Sequence, residues 1–319
     1  MALSCNPQIL VADEPTTALD VTIQAQVLEL MREIQQNTQM AILLITHDLG
    51  VVSEMAHKVA VMYAGEIIET ASRDNFFRKP SHPYSQQLFA SLPEIKKCGQ
   101  ALNVMRGSVP QLSQTFTGCR FADRCHQAWE HCHQTIPQWH HVEDNHQVRC
   151  HLFDQLYSDK KEVVNESVKN ETSTTTASSD YKELLRVNQL QVHFPIHKGL
   201  FKRVVGHVKA VDGVSLSIQS GKTLALVGES GCGKTTVGKG ILQLIKPTGG
   251  QVYFNGTDLV GLARKPLRAM RSKCQIIFQD PYASLNPRMR IIEVIQEGMD
   301  ALNTEPIDSQ HTGEKSQSF

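Results

Sequence analysis

The chain has 319 residues, 40% hydrophobic and 20% charged, which is the balance of a soluble globular protein and excludes a fibre or a wholly disordered chain. Lysine plus arginine equals aspartate plus glutamate at 32 each, so no overall positive field points to nucleic acid or anionic lipid as the main partner. No apolar run approaches the roughly 18–20 residues that span a bilayer. Met1 to Pro7 lack the charged and apolar regions of a secretory signal, which makes the cytoplasm the expected compartment and its eight cysteines thiols or metal ligands rather than disulfides.

Residues 1–71 alternate β and α. Ile9 to Ala12 is a short apolar run ending in Asp13-Glu14, as expected of a buried parallel strand whose carboxyl end carries a site. Asp20 is placed to cap a helix along which Val27, Leu28, Met31 and Ile34 recur at helical spacing. Further strands are expected over Ala41 to Ile45, ending at Thr46-His47-Asp48, over Lys58 to Tyr63, and over Glu66 to Glu69. Residues 72–157 are richer in Pro, His and Cys and weaker in periodicity, and read as a loop-rich accessory segment. Residues 158–182 are polar, with a Thr-Ser run, and predict a flexible linker. Its sequons at Asn165 and Asn170 carry no meaning in a cytosolic chain.

Residues 183–302 return to β pattern. Strands are expected at Leu190 to Phe194, Val214 to Ile218, Thr223 to Val227, Val252 to Phe254 and Gln275 to Phe278, with a helix continuing through Lys239 to Ile245. A polar tail follows over 303–319. Gly228-Glu229-Ser230-Gly231-Cys232-Gly233-Lys234-Thr235 fits the Gly-x-x-x-x-Gly-Lys-Thr pattern between an expected strand and an expected helix. Backbone N–H groups of such a loop, together with the helix N-terminus, hold the phosphates of ATP. Lys234 would reach the β/γ oxygens, Thr235 would offer a hydroxyl to magnesium, Thr236 follows in the same turn, and Cys232 is expected to be passive. Asp13 suits magnesium through its water shell, and Glu14 suits polarising an attacking water. His47, one strand later, is placed near the γ-phosphate. An ordinary P-loop ATPase has the phosphate loop first and the acidic strand afterwards, whereas this chain has them in the opposite order.

Together the phosphate loop, Asp13-Glu14, Thr17 to Asp20 and Ile45-Thr46-His47-Asp48 resemble the Walker A, Walker B, D-loop and H-loop of ABC transporter ATPases. Phe278-Gln279-Asp280-Pro281, with Ser284-Leu285-Asn286-Pro287-Arg288, resembles the Q-loop region of the dipeptide and oligopeptide importer branch. His82-Pro83-Tyr84 followed by Cys119-Arg120-Phe121 and Cys125 is similar to the C-terminal extension of that branch. The resemblance implies an α/β fold of the P-loop NTPase (ABC) type, with its halves in reversed order and a Cys-containing extension between them. It implies two membrane-spanning permease subunits, a peptide-binding protein, a second ABC ATPase subunit closing head to tail around two ATP molecules, and a peripheral place on the cytoplasmic face of the inner membrane. Gln279 would help hold magnesium and couple nucleotide state to the permease, and His47 would support Glu14. Phe194 would either stack on adenine or serve as an apolar strand residue.

The family's Leu-Ser-Gly-Gly-Gln signature appears nowhere in the chain. The chain is therefore expected to be a truncated join of the back half of one ATPase to the front half of another, each leaving unpaired strand edges. The linker, as a coil, reaches something near 25–30 Å, enough for Asp13-Glu14 to lie beside Lys234 if their strands are neighbours. Two functions stay open: an ATP-hydrolysing peptide-importer subunit, weak or inactive alone, and a non-catalytic nucleotide-binding module. Cys119, Cys125, Cys132 and Cys150 suit a tetrathiolate iron–sulfur cluster or a structural zinc, with free thiols as the third option. His126, His131, His133, His140 and His141 are alternative ligands.

Overall fold

Apolar runs with no polar member, as at residues 9–12 and 41–45, suit strands covered on both faces. The computed structural model describes residues 2–3, 6–17, 19–91, 105, 107–154, 182–199, 203–279, 285–286 and 288–302; the expected linker apart from Lys182, the expected tail, and Asp280, Pro281, Ser284 and Pro287 of the Q-loop region lie outside them. In chain order come β1 (Ile9–Asp13), α1 (Val21–Thr38), β2 (Ala41–Thr46), α2 (Leu49–Met55), β3 (Lys58–Tyr63) and β4 (Glu66–Ser72). Then follow α3 (Arg73–Arg78), α4 (Pro83–Ala90), α5 (Glu130–Gln134), β5 (Trp139–Glu143) and β6 (His146–Arg149). The last stretch holds β7 (Glu183–Lys198), β8 (Arg203–Gln219), β9 (Thr223–Val227), α6 (Lys234–Ile241), β10 (Gly249–Phe254), β11 (Thr257–Asp258), α7 (Arg264–Arg271), β12 (Cys274–Ile277) and α8 (Ile291–Leu302).

Strands from both ends of the chain build one sheet, in the order β12-β1-β2-β9-β3-β4-β6-β5. The first five are parallel: Ile9 lies opposite Cys274, Asp13 opposite Ile45, Thr46 opposite Val227, and Val61 opposite Val227 from the other side. Two expectations are corrected. The acidic strand and the phosphate-loop strand are not neighbours, because β2 lies between them and pairs with both. Nor are the edges of β1 and β9 left open: each is paired on both sides, with strands of the other stretch supplying partners. Unpaired N–H and C=O groups on such apolar strands are costly when buried, and pairing across the two stretches removes that cost.

Alternate side chains of these strands feed different cores. Ile9, Val11, Leu43 and Ile45 face α6 and the second sheet, β11-β10-β7-β8, while Leu10, Ala12, Ile42 and Leu44 meet Leu28, Met31 and Met55 of the helices behind. Gly238 lets α6 close onto the sheet, since a Cβ there would come within 2.9 Å of Val11 and 3.0 Å of Ile45. That helix ends at Ile241, short of the expected Ile245, as the chain turns left-handed at Gln243 and Pro247 follows. β7 and β8 run well beyond their apolar centres because they pair with each other as far as Lys198 opposite Arg203.

The middle stretch is fastened to the sheet through a buried carboxylate. β6 pairs antiparallel with β4, and Glu69 of β4 accepts hydrogen bonds from the Ser81 and His82 backbone N–H groups (2.7 and 2.9 Å), from the Ser85 hydroxyl (2.5 Å), and meets His146 Nε2 at 2.7 Å. Burial alone would raise this carboxyl, but His146, Ser85 and the two N–H groups outweigh it and hold it below its ordinary value. A carboxylate lowered by folding contributes stability in full above its ordinary value, near 4.5, and loses it as pH falls through the depressed value. Glu69→Gln is expected to cost roughly 2 to 4 kcal/mol at neutral pH and to flatten the acid limb of stability. Urea unfolding between pH 7 and pH 3 checks this; equal midpoints, or equal acid limbs in the two proteins, would contradict it.

Candidate nucleotide site

β9 ends at Val227, the loop runs from Gly228 to Gly233, and α6 opens at Lys234. Gly233 takes φ 107° and a Cβ there would overlap the Ala210 carbonyl, so the turn into the helix requires glycine. No side chain caps the helix, which leaves its first N–H groups and positive dipole end directed at the loop. Ser230 and Gly231 are exposed at the tip, and Thr235 and Thr236 lie in the first turn. Lys234 is buried, its Nζ donating to the carbonyls of Gly228 (2.7 Å) and Glu229 (3.1 Å). Cys232 is buried too, and desolvation raises its thiol against the opposing pull of Lys234, as suits a passive loop residue.

The acidic side of the site is delivered by three other strand ends. The Thr235 hydroxyl donates to Asp13 Oδ1 at 3.0 Å. Glu14, just past β1, has φ 48°, a left-handed conformation uncommon outside glycine and typical of strained functional positions. Its carboxylate accepts from Thr17 Oγ1 (3.1 Å) and Gln279 Nε2 (3.0 Å) and meets His47 Nδ1 at 3.1 Å. Gln279 follows β12 and His47 follows β2, so the carboxyl ends of neighbouring parallel strands converge on the phosphate loop, where open α/β sheets place their ligands. Burial raises the Asp13 carboxyl, with Glu14 adding repulsion, and the Thr235 hydrogen bond and the nearby lysines only partly offset this. Burial pulls Glu14 the same way, but His47, Thr17 and Lys234 prevail and lower it.

Asp13, Glu14, His47, Lys234, Thr235 and Gln279 are thus brought together. Asp20 caps α1, accepting from the Ile23 N–H at 2.9 Å. Phe194 lies on β7, 39% exposed and opposite Val208. Two contacts have no signal in the sequence around the loop: the Tyr84 hydroxyl accepts from the Glu229 N–H at 2.8 Å, and Arg124 grips the Glu229 carboxylate. Tyr84 and Arg124 lie far upstream in the stretch of weak periodicity, and although Tyr84 falls in the recognised His82-Pro83-Tyr84 motif, nothing there points to the loop.

Cys119, Cys125, Cys132 and Cys150 line one small cavity of about 20 Å³, together with Phe121 and His82. Burial pushes the Cys119 thiol up to about 12 and raises Cys125 and Cys150 as well. His82 Nδ1 accepts from the Tyr84 N–H at 3.0 Å. The four sulfur donors suit a group bound by thiolates. Yet among the described residues no group of three or more His, Cys, Asp or Glu converges in an arrangement that could hold a metal ion. The expected zinc or iron–sulfur site therefore has its donors around one cavity but no closed ligand set.

Residues 68–132 match the C-terminal region of oligopeptide/dipeptide transporters, and residues 211–317 match the ABC transporter family. The oligopeptide transport ATP-binding protein OppD of Mycobacterium tuberculosis is 37% identical over 303 residues, covering 94% of this chain and 49% of that protein. The glutathione import ATP-binding protein GsiA of Pectobacterium atrosepticum is 40% identical over 291 residues, covering 91% of this chain and 38% of the relative. The chain thus spans about half the length, or less, of the curated relatives it matches. A solved ATP-binding cassette dimer in a post-hydrolysis state with ADP and Pi overlaps 42% of this chain and 55% of its own, at 20% identity and a TM-score of 0.36. The chain thus carries the C-terminal region of oligopeptide/dipeptide transporters over residues 68–132 and an ABC transporter match over residues 211–317, and along most of its length it is similar to ATP-binding proteins of that branch.

Proposed function

We propose that this protein is the ATP-binding component of a short-peptide importer, in which ATP binding and hydrolysis drive transport through membrane-spanning permease subunits. The observation that carries the proposal is the 3.0 Å hydrogen bond between Thr235 and Asp13, residues 222 positions apart, which unites the phosphate loop with the acidic strand. Lys234 and the loop N–H groups would hold the β- and γ-phosphates. Thr235, Asp13 and Gln279 would hold magnesium, which when bound draws charge from the phosphate oxygens. Glu14 would polarise the attacking water, steadied by His47. Phe194 would stack on adenine, and Asp20 would face a second ATPase subunit. Relatives named for oligopeptides and for glutathione, itself a tripeptide, support short peptides as the cargo class. None of the described helices is long and apolar enough to cross a membrane; a peripheral place on the cytoplasmic face of the inner membrane, under permeases served by a peptide-binding protein, fits the proposal.

The order of the motifs is that of two successive cassettes, the acidic strand belonging to one and the phosphate loop to the next. Supporting this, relatives about twice as long align in the same order over 94% and 91% of the chain. A second function, nucleotide binding without turnover, is favoured for this polypeptide alone by the absence of Leu-Ser-Gly-Gly-Gln from its sequence. Titration with labelled ATP and magnesium is expected to show saturable binding that Lys234→Ala removes, with phosphate release near the level of that variant. Absence of saturable binding by folded protein overturns the nucleotide assignment.

Burial raises the Asp13 carboxyl, so its protonated form favours folding in full below its ordinary value, near 3.8, and that contribution is lost as pH rises through the raised value and the buried charge opposes folding. Asp13→Asn is therefore expected to melt at a higher temperature than the parent at pH 7.5 without magnesium, and to lose the magnesium dependence of ATP binding. A lower melting temperature together with intact magnesium dependence contradicts both the burial argument and the metal role. We also propose a four-iron cluster on Cys119, Cys125, Cys132 and Cys150, which would require the four thiols to close around it from their open arrangement; that all four line one cavity supports the reading. Anaerobically purified protein should then absorb broadly near 400 nm and contain iron. Material free of iron, with or without zinc, discards the proposal.

A further inference from the structure

Glu229 occupies the second position of the phosphate loop, where an unneutralised carboxylate would repel a triphosphate. Its two carboxylate oxygens are taken by one side chain: Arg124 Nη1 lies 2.6 Å from Oε2, and Nη2 lies 3.0 Å from Oε1. Such a two-pronged guanidinium–carboxylate contact fixes direction as well as charge. The Glu229 backbone N–H is held separately by the Tyr84 hydroxyl at 2.8 Å, and its carbonyl accepts from Lys234 at 3.1 Å. One residue therefore links the lysine that would meet the phosphates to the cysteine-bearing segment on the far side of the loop.

Arg124 is well placed to hold that link. It ends a 3-10 turn at Ala122–Arg124, beside Cys125. Its guanidinium also donates to the Tyr63 hydroxyl at 3.1 Å and lies 5.7 Å from the Tyr63 ring centre and 6.0 Å from that of Phe121. Tyr63, Tyr84 and Phe121 pack against one another as a buried aromatic trio, so the arginine is fixed at its base and its tip. The Arg124 side chain is 7% exposed and that of Glu229 29%, so the pair is part-buried and screening of its attraction is reduced.

We infer that Arg124 is a positioning residue for nucleotide binding, cancelling the Glu229 charge and locking the phosphate loop in the shape that presents Lys234. The inference rests on the phosphate-loop assignment proposed above. Without Arg124 the Glu229 carboxylate would stand uncompensated in the phosphate loop, so the loss should grow with the charge of the ligand, greatest for ATP, smaller for ADP, and smallest for adenosine. Removing the carboxylate as well should undo most of the damage.

Equilibrium titrations of the full chain with magnesium and ATP, ADP or adenosine test this. Arg124→Met is expected to weaken ATP binding roughly 10- to 100-fold, and the double variant Arg124→Met with Glu229→Gln to recover most of it, a rescue that a merely structural arginine does not give. Arg124→Lys keeps the charge and loses the fork, and is expected to bind ATP roughly 3- to 10-fold more weakly, which keeps a readout should Arg124→Met fail to fold. Parental ATP affinity in Arg124→Met or Arg124→Lys overturns the inference while leaving the phosphate-loop assignment standing, as does a double variant no better than Arg124→Met. Failure of the parent itself to bind ATP overturns both.

Discussion

The site depends on β2 being paired on both sides, with β1 along one edge and β9 along the other. β1 carries Asp13 and Glu14, β9 leads into the phosphate loop, and the two belong to stretches of chain separated by the whole cysteine-bearing segment. Neither strand has a polar face that water could satisfy, so each is stable only as an interior strand with partners on both edges. Ladder hydrogen bonds and burial of both faces set the register, and the register sets the site. With Asp13 opposite Ile45 and Thr46 opposite Val227, all three strands end at one level, and α6, closing onto Val11 and Ile45 at Gly238, brings Thr235 within hydrogen-bonding distance of Asp13.

The second sheet and the cysteine-bearing segment support this arrangement from opposite sides. Leu190, Val192 and Val214 of the long β7–β8 ribbon share a core with Ile9, Val11 and Val237, which covers the face on which α6 lies. Tyr84, Phe76 and Phe121 share another with Val59, Val61 and Val227. Val227 is the last residue before the phosphate loop, so the aromatic cluster that carries Arg124 also packs against the strand that launches the loop. Arg120 ties the same segment to the ribbon, reaching Asp212 at 2.6 Å, while Arg149 meets Glu66 at 2.9 Å. These pairs are largely buried, so their value lies in orientation more than in net stability.

Much of this was legible in the sequence because the informative strands are short and uniformly apolar. β3 and β9 fall on the expected residues, and β1, β2 and β12 within a residue or so of theirs. The chemistry at their ends followed from residue type and from position after a strand. The order of the strands was not legible, because an apolar run states that it is interior without naming its neighbours; hence β2 came between two strands expected side by side. β7 and β8 extend through Lys198 and Arg203 by pairing with each other, which leaves no mark on hydropathy. The Glu229–Arg124 contact spans 105 residues and joins the phosphate loop to an extension whose own motif, around Cys119 to Cys125, carries no sign of which part of the chain it meets.

Asp13 and Glu14 are adjacent carboxylates that the fold drives apart. Asp13 is 2% exposed and continues the strand inward, and among the described residues its side-chain hydrogen bond comes from the neutral Thr235 hydroxyl, so burial dominates and its negative charge is disfavoured. The left-handed turn at Glu14 swings the next side chain out of the sheet, where Thr17, Gln279 and His47 gather around it and keep it charged. Divergent environments for paired carboxylates separate their roles. A buried carboxylate short of donors gains most from a cation, which matches magnesium binding for Asp13. A carboxylate held low is a poor acceptor of a full proton but a steady negative pole, which matches orienting and polarising water for Glu14.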